Sequence, residues 1–291
     1  MHADRNRFVN DDKAETTSMK IVTAEDIVAA IDDGYQNKKI PRAREYIGAS
    51  GVGSPCDAAL AYSLRGFPEP QIAPRTQRIF ALGHLLEDMV IKDLKENADV
   101  RVFEVDGLTG RQHAYAKYGG HVSCHMDGHI ETDDGQLRVL EIKSMNHASF
   151  QKFVKHGVKK AHPKYYDQLQ MMMGMSGFQE SVFIAISKNT SEYHCEFVEY
   201  DSIQYSYLMA RVENVMSGNA EKVSDKPDDW RCNFCFKKAV CWEGLQVEVR
   251  CSTCAFAFPR EDGGWHCDKH DRQCNEACSD YKLYEPKPKG S

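Results

Sequence analysis

No stretch of this sequence approaches the roughly 20 consecutive apolar residues that span a bilayer. The segment from Met1 to Lys20 is polar and charged, so it lacks the apolar core of a secretory signal. A membrane-embedded or secreted chain is therefore not expected. The reading is cytoplasmic, meaning the bacterial host cytoplasm if a phage encodes the protein. Excess positive charge is also missing: Lys and Arg total 37 against 43 Asp and Glu, a net charge of −6. That excludes a bulk electrostatic grip on nucleic acid but leaves room for a local basic groove. There is no internal repeat of useful length and no motif that reads bases, so any binding of DNA is expected to be sequence-independent.

What is present is an ordinary globular composition. The 291 residues are 42% hydrophobic and 27% charged, enough for one large domain or one domain with a small appendage. The unusual number is 11 cysteines, eight of them within residues 226–291. A disulfide framework needs an oxidising compartment. In a cytoplasmic chain these cysteines are expected to be metal ligands.

Three regions are expected: a disordered tail over residues 1–20, a core over 21–225 and a cysteine-rich metal-binding region over 226–291. Helical periodicity begins at Ala24, and a Gly/Ser segment runs from Ile47 to Cys56. Asp57 to Leu64 reads as a helix. Thr76 to Leu94 reads as an amphipathic helix whose apolar positions are Phe80, Leu85, Met89, Val90 and Leu94. Strands are expected over 122–130 and 137–142, with turn formers between them. A helix follows over 165–175, strands over 181–187 and 193–200, and a helix over 201–222. This order predicts a mixed α/β core.

The chemistry concentrates in the hairpin. Asp127 and Glu141 lie near the ends of two strands expected to pair, and Glu141 and Lys143 share one face of a strand. Two carboxylates and a lysine suit phosphodiester hydrolysis with a hard divalent cation, Mg²⁺ or Mn²⁺. The backbone carbonyl of Ile142 is a further candidate ligand. The bland alternative is a solvated charged hairpin. The apolar frame of Val139, Leu140 and Ile142 weakens it, because a carboxylate in such a strand is costly unless it is used. Upstream, Glu87 offers a third carboxylate with His84 one turn away. Downstream, Gln168 and Gln170 are polar residues on an apolar helix and call for hydrogen-bond partners. The methionines from Met171 to Met173 read as core packing.

The order Gly83-x-x-x-Glu87, Asp127-Gly128, Glu141-x-Lys143, Tyr165-x-x-Gln168-x-Gln170 resembles the PD-(D/E)XK nuclease superfamily over roughly residues 45–205. It is most similar to phage-type exonucleases of the lambda exonuclease and RecB-like group. Met126 stands where many members have proline. The resemblance implies a restriction-endonuclease-like core and a metal-dependent DNA exonuclease acting in recombination or end-processing. Glu87, Asp127 and Glu141 would hold the metal, with Ile142 contributing its carbonyl. Lys143 would support the nucleophilic water, and Gln168 would be a catalytic or positioning glutamine. A single-strand annealing or recombination protein is the implied partner. Two alternatives stay open: an iron–sulfur single-strand nuclease or endonuclease of the CRISPR-associated type, and a non-catalytic DNA-binding protein that keeps the fold.

Cys232, Cys235 and Cys241 supply three thiolates where a tetrahedral or cubane site needs four. The fourth is either Cys251 or the distant Cys56. The segment from Ser54 to Gly66 resembles the one that carries the first cluster cysteine in AddB-type iron–sulfur nucleases. That resemblance implies a 4Fe–4S cluster on Cys56, Cys232, Cys235 and Cys241, although the usual aromatic is matched only loosely, by Phe236.

Farther on, Cys251-x-x-Cys254 followed by Cys267, Cys274 and Cys278 is a zinc-ribbon signal. With His266 and His270 also near, seven side chains compete for four positions. Cys251, Cys254, Cys267 and Cys278 are the chosen set, with Cys274 as the spare. The role expected is structural, because the region is electrically balanced. Cys124 and Cys195 are expected in the core. Lys152, Lys155, Lys159, Lys160 and Lys164, close together in an acidic chain, are expected to meet DNA phosphates without sequence preference. Arg75 and Arg78 are further candidates.

Overall fold

The structure is a computed structural model that describes residues 21–39, 42–98, 100–274 and 276–290. The expected disordered tail over 1–20 lies outside the described residues. Two compact units are present. In the smaller, α1 (Ala24–Gln36) opens with a capping box between Thr23 and Asp26. Residues from Gln71 to Arg78 belong to the same unit. There Gln77 Nε2 donates to the Tyr35 carbonyl at 3.3 Å, and Arg78 pairs with Asp32.

The larger unit carries the remaining elements. In chain order they begin with β1 (Ile47–Gly48), α2 (Ala49–Val52), α3 (Asp57–Leu64) and α4 (Pro74–Glu96), whose first turn belongs to the smaller unit. Next come β2 (Arg101–Phe103), β3 (Ala114–Lys117), β4 (Val122–His125), β5 (Gly128–Glu131) and β6 (Leu137–Met145). They are followed by α5 (His147–Ala161), α6 (Pro163–Ser176), β7 (Glu180–Ser187), β8 (Tyr193–Glu199) and α7 (Ser202–Met216). The chain closes with α8 (Lys238–Trp242) and three short strands, β9 (Ala257–Pro259), β10 (Trp265–Cys267) and β11 (Arg272–Cys274). The mixed α/β core expected from the sequence is what the structure shows.

The main sheet has the order β2-β5-β6-β7-β8. Only β6 and β7 run parallel, and α5 and α6 make the crossover between them. Strand β6 alternates strictly. Leu140 and Ile142 face one apolar cluster with Val90 and Ile91 of α4. Val139 and Met145 face the other, with Phe153, Leu169 and Met171 to Met173. The methionine run is core, as its sequence suggests.

The strand expected over 122–130 is two strands in two sheets. β4 pairs with β1 and β3, whereas β5 pairs with β2 and β6. The chain changes sheets at Met126 and Asp127. There the Met126 N–H goes to the His113 carbonyl at 3.0 Å, and its carbonyl accepts from Gln112 Nε2 at 3.0 Å.

Two burial expectations fail. Phe80, Leu85 and Met89 of α4 are exposed, and the buried residues of that helix are Val90 and Ile91. Cys195 is exposed on β8, the edge strand, whereas Cys124 is buried.

The cysteine-rich region does not stand apart as an appendage. Cys254, Ala257, Trp265 and Tyr284 belong to the same core cluster as the nuclease-like residues. Arg65, just past α3, is 2% exposed. Its guanidinium donates to the carbonyls of Ser252 (3.0 Å), Cys254 (2.9 Å) and Ala257 (2.9 Å) and lies 3.8 Å from the Tyr284 ring centre. Gly119, with φ +59°, sits against Gly263: a Cβ there would lie 2.0 Å from the Gly263 nitrogen, so only glycine permits the approach.

Candidate active site and cysteine clusters

Asp127 occupies the sheet-switch. Gly128 pairs with Leu140, but beyond that pair the chain has left the ladder, and the Ile142 N–H would lack a partner. The Asp127 carboxylate takes it, with Oδ2 at 2.7 Å. This contact brings Asp127 beside Glu141. The Glu141 side chain is 2% exposed. Its Oε1 accepts from Gln168 Nε2 at 2.6 Å and from Lys143 Nζ. Its Oε2 is buried with no hydrogen-bond partner. Glu87 reaches the same place from α4, near enough to Asp127 to feel its charge.

The electrostatics follow from crowding. Burial first, then the Asp127 charge, pushes Glu141 up to about 8. The same two causes push Glu87 up to about 7. Burial pulls Lys143 down, but the Glu141 and Asp127 carboxylates outweigh it and hold its ammonium above the ordinary lysine value. Three oxygen-donor carboxylates and one orphaned buried oxygen fit a hard divalent cation, which would supply the missing positive charge.

The structure thus brings Glu87, Asp127, Glu141, Lys143 and Gln168 to one place. The Ile142 carbonyl belongs to the strand between Glu141 and Lys143, and the Ile142 N–H serves Asp127. His84 is 80% exposed, with Nδ1 3.8 Å from Glu87. Tyr165 was not assigned a role from sequence, although it opens the Tyr-x-x-Gln motif; Lys143 Nζ lies 5.6 Å from its ring centre. Gln170 finds its partners away from the site, donating to the Glu199 carbonyl at 2.9 Å and accepting from the Asp201 N–H at 2.7 Å.

The basic stretch is helical. It runs through α5, whose regular path breaks at Gly157 (φ +71°), into α6. Glu196 accepts from the Val158 N–H at 2.7 Å beside the break. Lys152, Lys155, Lys159, Lys160 and Lys164 are all exposed. Lys159 is engaged with Tyr166 at 3.1 Å and Asp201 at 3.3 Å.

Cys56, Cys232, Cys235 and Cys241 come together from both ends of the chain. Burial raises the thiols of Cys232, Cys235 and Cys241, and each also feels Cys56. Soft thiols converging in a partly buried place suit an iron–sulfur or zinc group.

Farther on, Cys251, Cys254, Cys267, His270, Cys274 and Cys278 line one cavity of 460 Å³. Cys274, the expected spare, lines the same cavity, and burial followed by the neighbouring Cys251 raises its thiol to about 12. The sequence held no signal for this, because Cys274 and Cys278 offer equivalent spacings. His266 lies instead 3.4 Å from Asp271.

Residues 44–179 match the YqaJ-like viral recombinase domain family. That match bears out the resemblance to phage-type recombination exonucleases. No curated protein matches the chain. Among solved structures, an alkaline exonuclease from Laribacter hongkongensis is similar at 21% identity and TM-score 0.45, covering 60% of this chain and 88% of that one. The same exonuclease in complex with dAMP gives equal identity and TM-score. A phage-related exonuclease from Haemophilus somnus is similar at 11% identity and TM-score 0.36, covering 45% of this chain and 66% of that one. Among the described residues, no helix is long and apolar enough to cross a membrane.

Proposed function

We propose that this chain, taking its viral recombinase-type domain as premise, is a divalent-metal-dependent DNA exonuclease that processes ends for recombination. The observation that carries the reading is the convergence of Glu87, Asp127 and Glu141 around a buried carboxylate oxygen without a partner. Glu87, Asp127, Glu141 and the Ile142 carbonyl would hold Mg²⁺ or Mn²⁺. The ion would polarise the phosphodiester and neutralise its developing charge.

The chain's own groups do the rest. Lys143 is held protonated by its acidic neighbours, so it acts as a hydrogen-bond donor and positive charge, not as a base. It orients the attacking water and meets charge growing on a phosphoryl oxygen. Gln168 holds Oε1 of Glu141 and thereby fixes the direction of the free Oε2. The lysines of α5 and α6 bind the DNA backbone through phosphates, without base reading. The product of resection is single-stranded, which makes a single-strand annealing or recombination protein the natural receiver.

The thiols of Cys56, Cys232, Cys235 and Cys241 would hold a 4Fe–4S cluster that ties α3 to the chain's later residues. The Cys251 to Cys278 region would hold Zn²⁺ in a structural role. Both need a reducing compartment, in keeping with the cytoplasm of a bacterial host.

The test is digestion of linear and covalently closed circular duplexes with Mg²⁺ or with chelator. Metal-dependent loss of the linear substrate alone is the expected result. Full activity in chelator, or in Asp127→Ala, would overturn the reading.

A further inference from the structure

The module from Cys251 to Asp280 holds more ligands than one tetrahedral ion can use. Five thiols and the His270 imidazole line one cavity, and Asp280 adjoins His270. Seven ligand groups stand where a single zinc takes four.

The groups divide. Cys251, Cys254, Cys267 and Cys274 line the cavity together with Cys278, and Cys251 feels the charges of Cys254, Cys267 and Cys278. Cys251, Cys254, Cys267 and Cys274 are four thiols, the number that a tetrathiolate zinc takes. Cys278 also has a nitrogen neighbour: its Sγ lies 3.5 Å from His270 Nε2. The same nitrogen lies 3.1 Å from Asp280 Oδ2. The ligand atoms of His270, Cys278 and Asp280 all lie within 4.8 Å of one another. Lys269 takes the other carboxylate oxygen of Asp280, Oδ1, at 3.0 Å, so Oδ2 is left to face the histidine.

Elementary geometry says what this triangle fits. With Zn–N about 2.0–2.1 Å and Zn–S about 2.3 Å, tetrahedral zinc sets its nitrogen and sulfur donors about 3.5 Å apart. Its nitrogen and oxygen donors come out about 3.3 Å apart on the same reckoning. The observed spacings of 3.5 and 3.1 Å lie close to both. Sulfur, nitrogen and oxygen donors together suit Zn²⁺ among the common divalent ions.

We infer that the module is a two-zinc unit. One zinc sits on Cys251, Cys254, Cys267 and Cys274. A second sits on His270, Cys278 and Asp280, with its fourth coordination position open. The inference rests on the reading that this module binds zinc, and it changes that reading's ligand set: Cys274 enters the tetrathiolate, and Cys278 moves to the mixed site. A three-ligand zinc with a free position exchanges faster than a closed one and accepts a water or a small anionic donor.

The test uses the full chain, loaded with Zn²⁺ or with Co²⁺ as a visible probe. Zinc is counted by mass spectrometry relative to protein, in wild type and in His270→Ala, Asp280→Asn, Cys278→Ser and Cys274→Ser. The first three variants are each expected to lose one zinc equivalent while keeping the thiolate-to-cobalt absorption of the four-sulfur site. In wild type a colorimetric chelator should remove one equivalent in a fast phase, and that phase should be missing from His270→Ala. Because Cys274→Ser risks misfolding, X-ray absorption at the zinc edge of wild type and His270→Ala provides the second measure. The average number of sulfur ligands per zinc should rise when the mixed site is removed.

Equal zinc content and equal release kinetics in wild type and His270→Ala would overturn the inference while leaving a zinc module intact. So would loss of the four-sulfur absorption in Cys278→Ser together with its retention in Cys274→Ser. A wild-type chain without any zinc bound by this module would overturn the underlying reading as well.

Discussion

Gln168 and Glu141 face each other across 2.6 Å, the amide of one helix holding one oxygen of a strand carboxylate and leaving the other unbound. A glutamine in this place fixes the direction of a ligand without adding charge. Replacing it with leucine keeps the volume and removes the donor. Gln168→Leu is expected to weaken Mg²⁺ affinity or turnover by about 10–100-fold, the range found for groups that orient metal ligands. A Mg²⁺ titration of activity would read it, and an unchanged midpoint and rate would refute the role.

The carboxylates and the lysine act at the chemistry itself. Asp127→Asn and Lys143→Ala should each slow cleavage by at least ~10³-fold, about 4 kcal/mol of barrier. Binding of duplex DNA in Ca²⁺ should be retained. A variant that stopped binding along with cleavage would point to misfolding, which circular dichroism would detect.

Glu87 and Glu141 give the site a definite pH dependence. Their folded pKa values, about 7 and about 8, lie above those of the unfolded chain. Without metal, their contribution is therefore fully present below the unfolded carboxylate range. It is lost as pH rises through 7 and 8, where two crowded charges must form. A divalent ion supplies the opposite charge. Added Mg²⁺ is then expected to raise the melting temperature more at pH 9 than at pH 6, and Glu141→Gln should shrink that difference. An equal Mg²⁺ effect at both pH values would count against the coupling.

The lysine face of α5 and α6 is checked by salt. Changing Lys152, Lys155, Lys160 and Lys164 to Gln should weaken DNA binding uniformly across sequences. If all four meet duplex phosphates, the slope of log affinity against log salt should become shallower by about 3–4. An unaltered slope would place the DNA elsewhere.

Arg65 tests how the cysteine-rich region is seated. Arg65→Ala leaves three buried carbonyls without their donor, at a cost on the order of 3–5 kcal/mol. Chemical denaturation would measure it. A loss under about 1 kcal/mol would mean the module is held by its metals and apolar contacts alone.

Much of the site was legible because its signals are local. A turn between two strands fixes the register that puts Asp127 beside Glu141, and the two-residue period puts Lys143 on the same face. The break at Met126 was not legible: Val122 to Ile130 is one apolar run, and nothing in it marks where the chain leaves one sheet for another. The basic stretch concealed a helix because Gly157 interrupts its periodicity. Exposure of Phe80, Leu85 and Met89 depends on what lies opposite them, which periodicity does not encode. Cys274 ends β11 whereas Cys278 lies beyond it, a difference that spacing alone does not show. Arg65 carried no signal, since its hydrogen-bond partners are main-chain carbonyls about 190 residues away.

Arg65 and Gly119 tie the cysteine-rich region to this particular core. A zinc finger can be moved between proteins because its fold is complete in its own sequence. Here the carbonyls of Ser252, Cys254 and Ala257 find their donor in residue 65, and Gly263 needs a glycine at 119 to lie against. Transplanted alone, the segment would carry three unmatched acceptors and a bare apolar flank. It is a part fitted to this core, and it is not an exchangeable cassette.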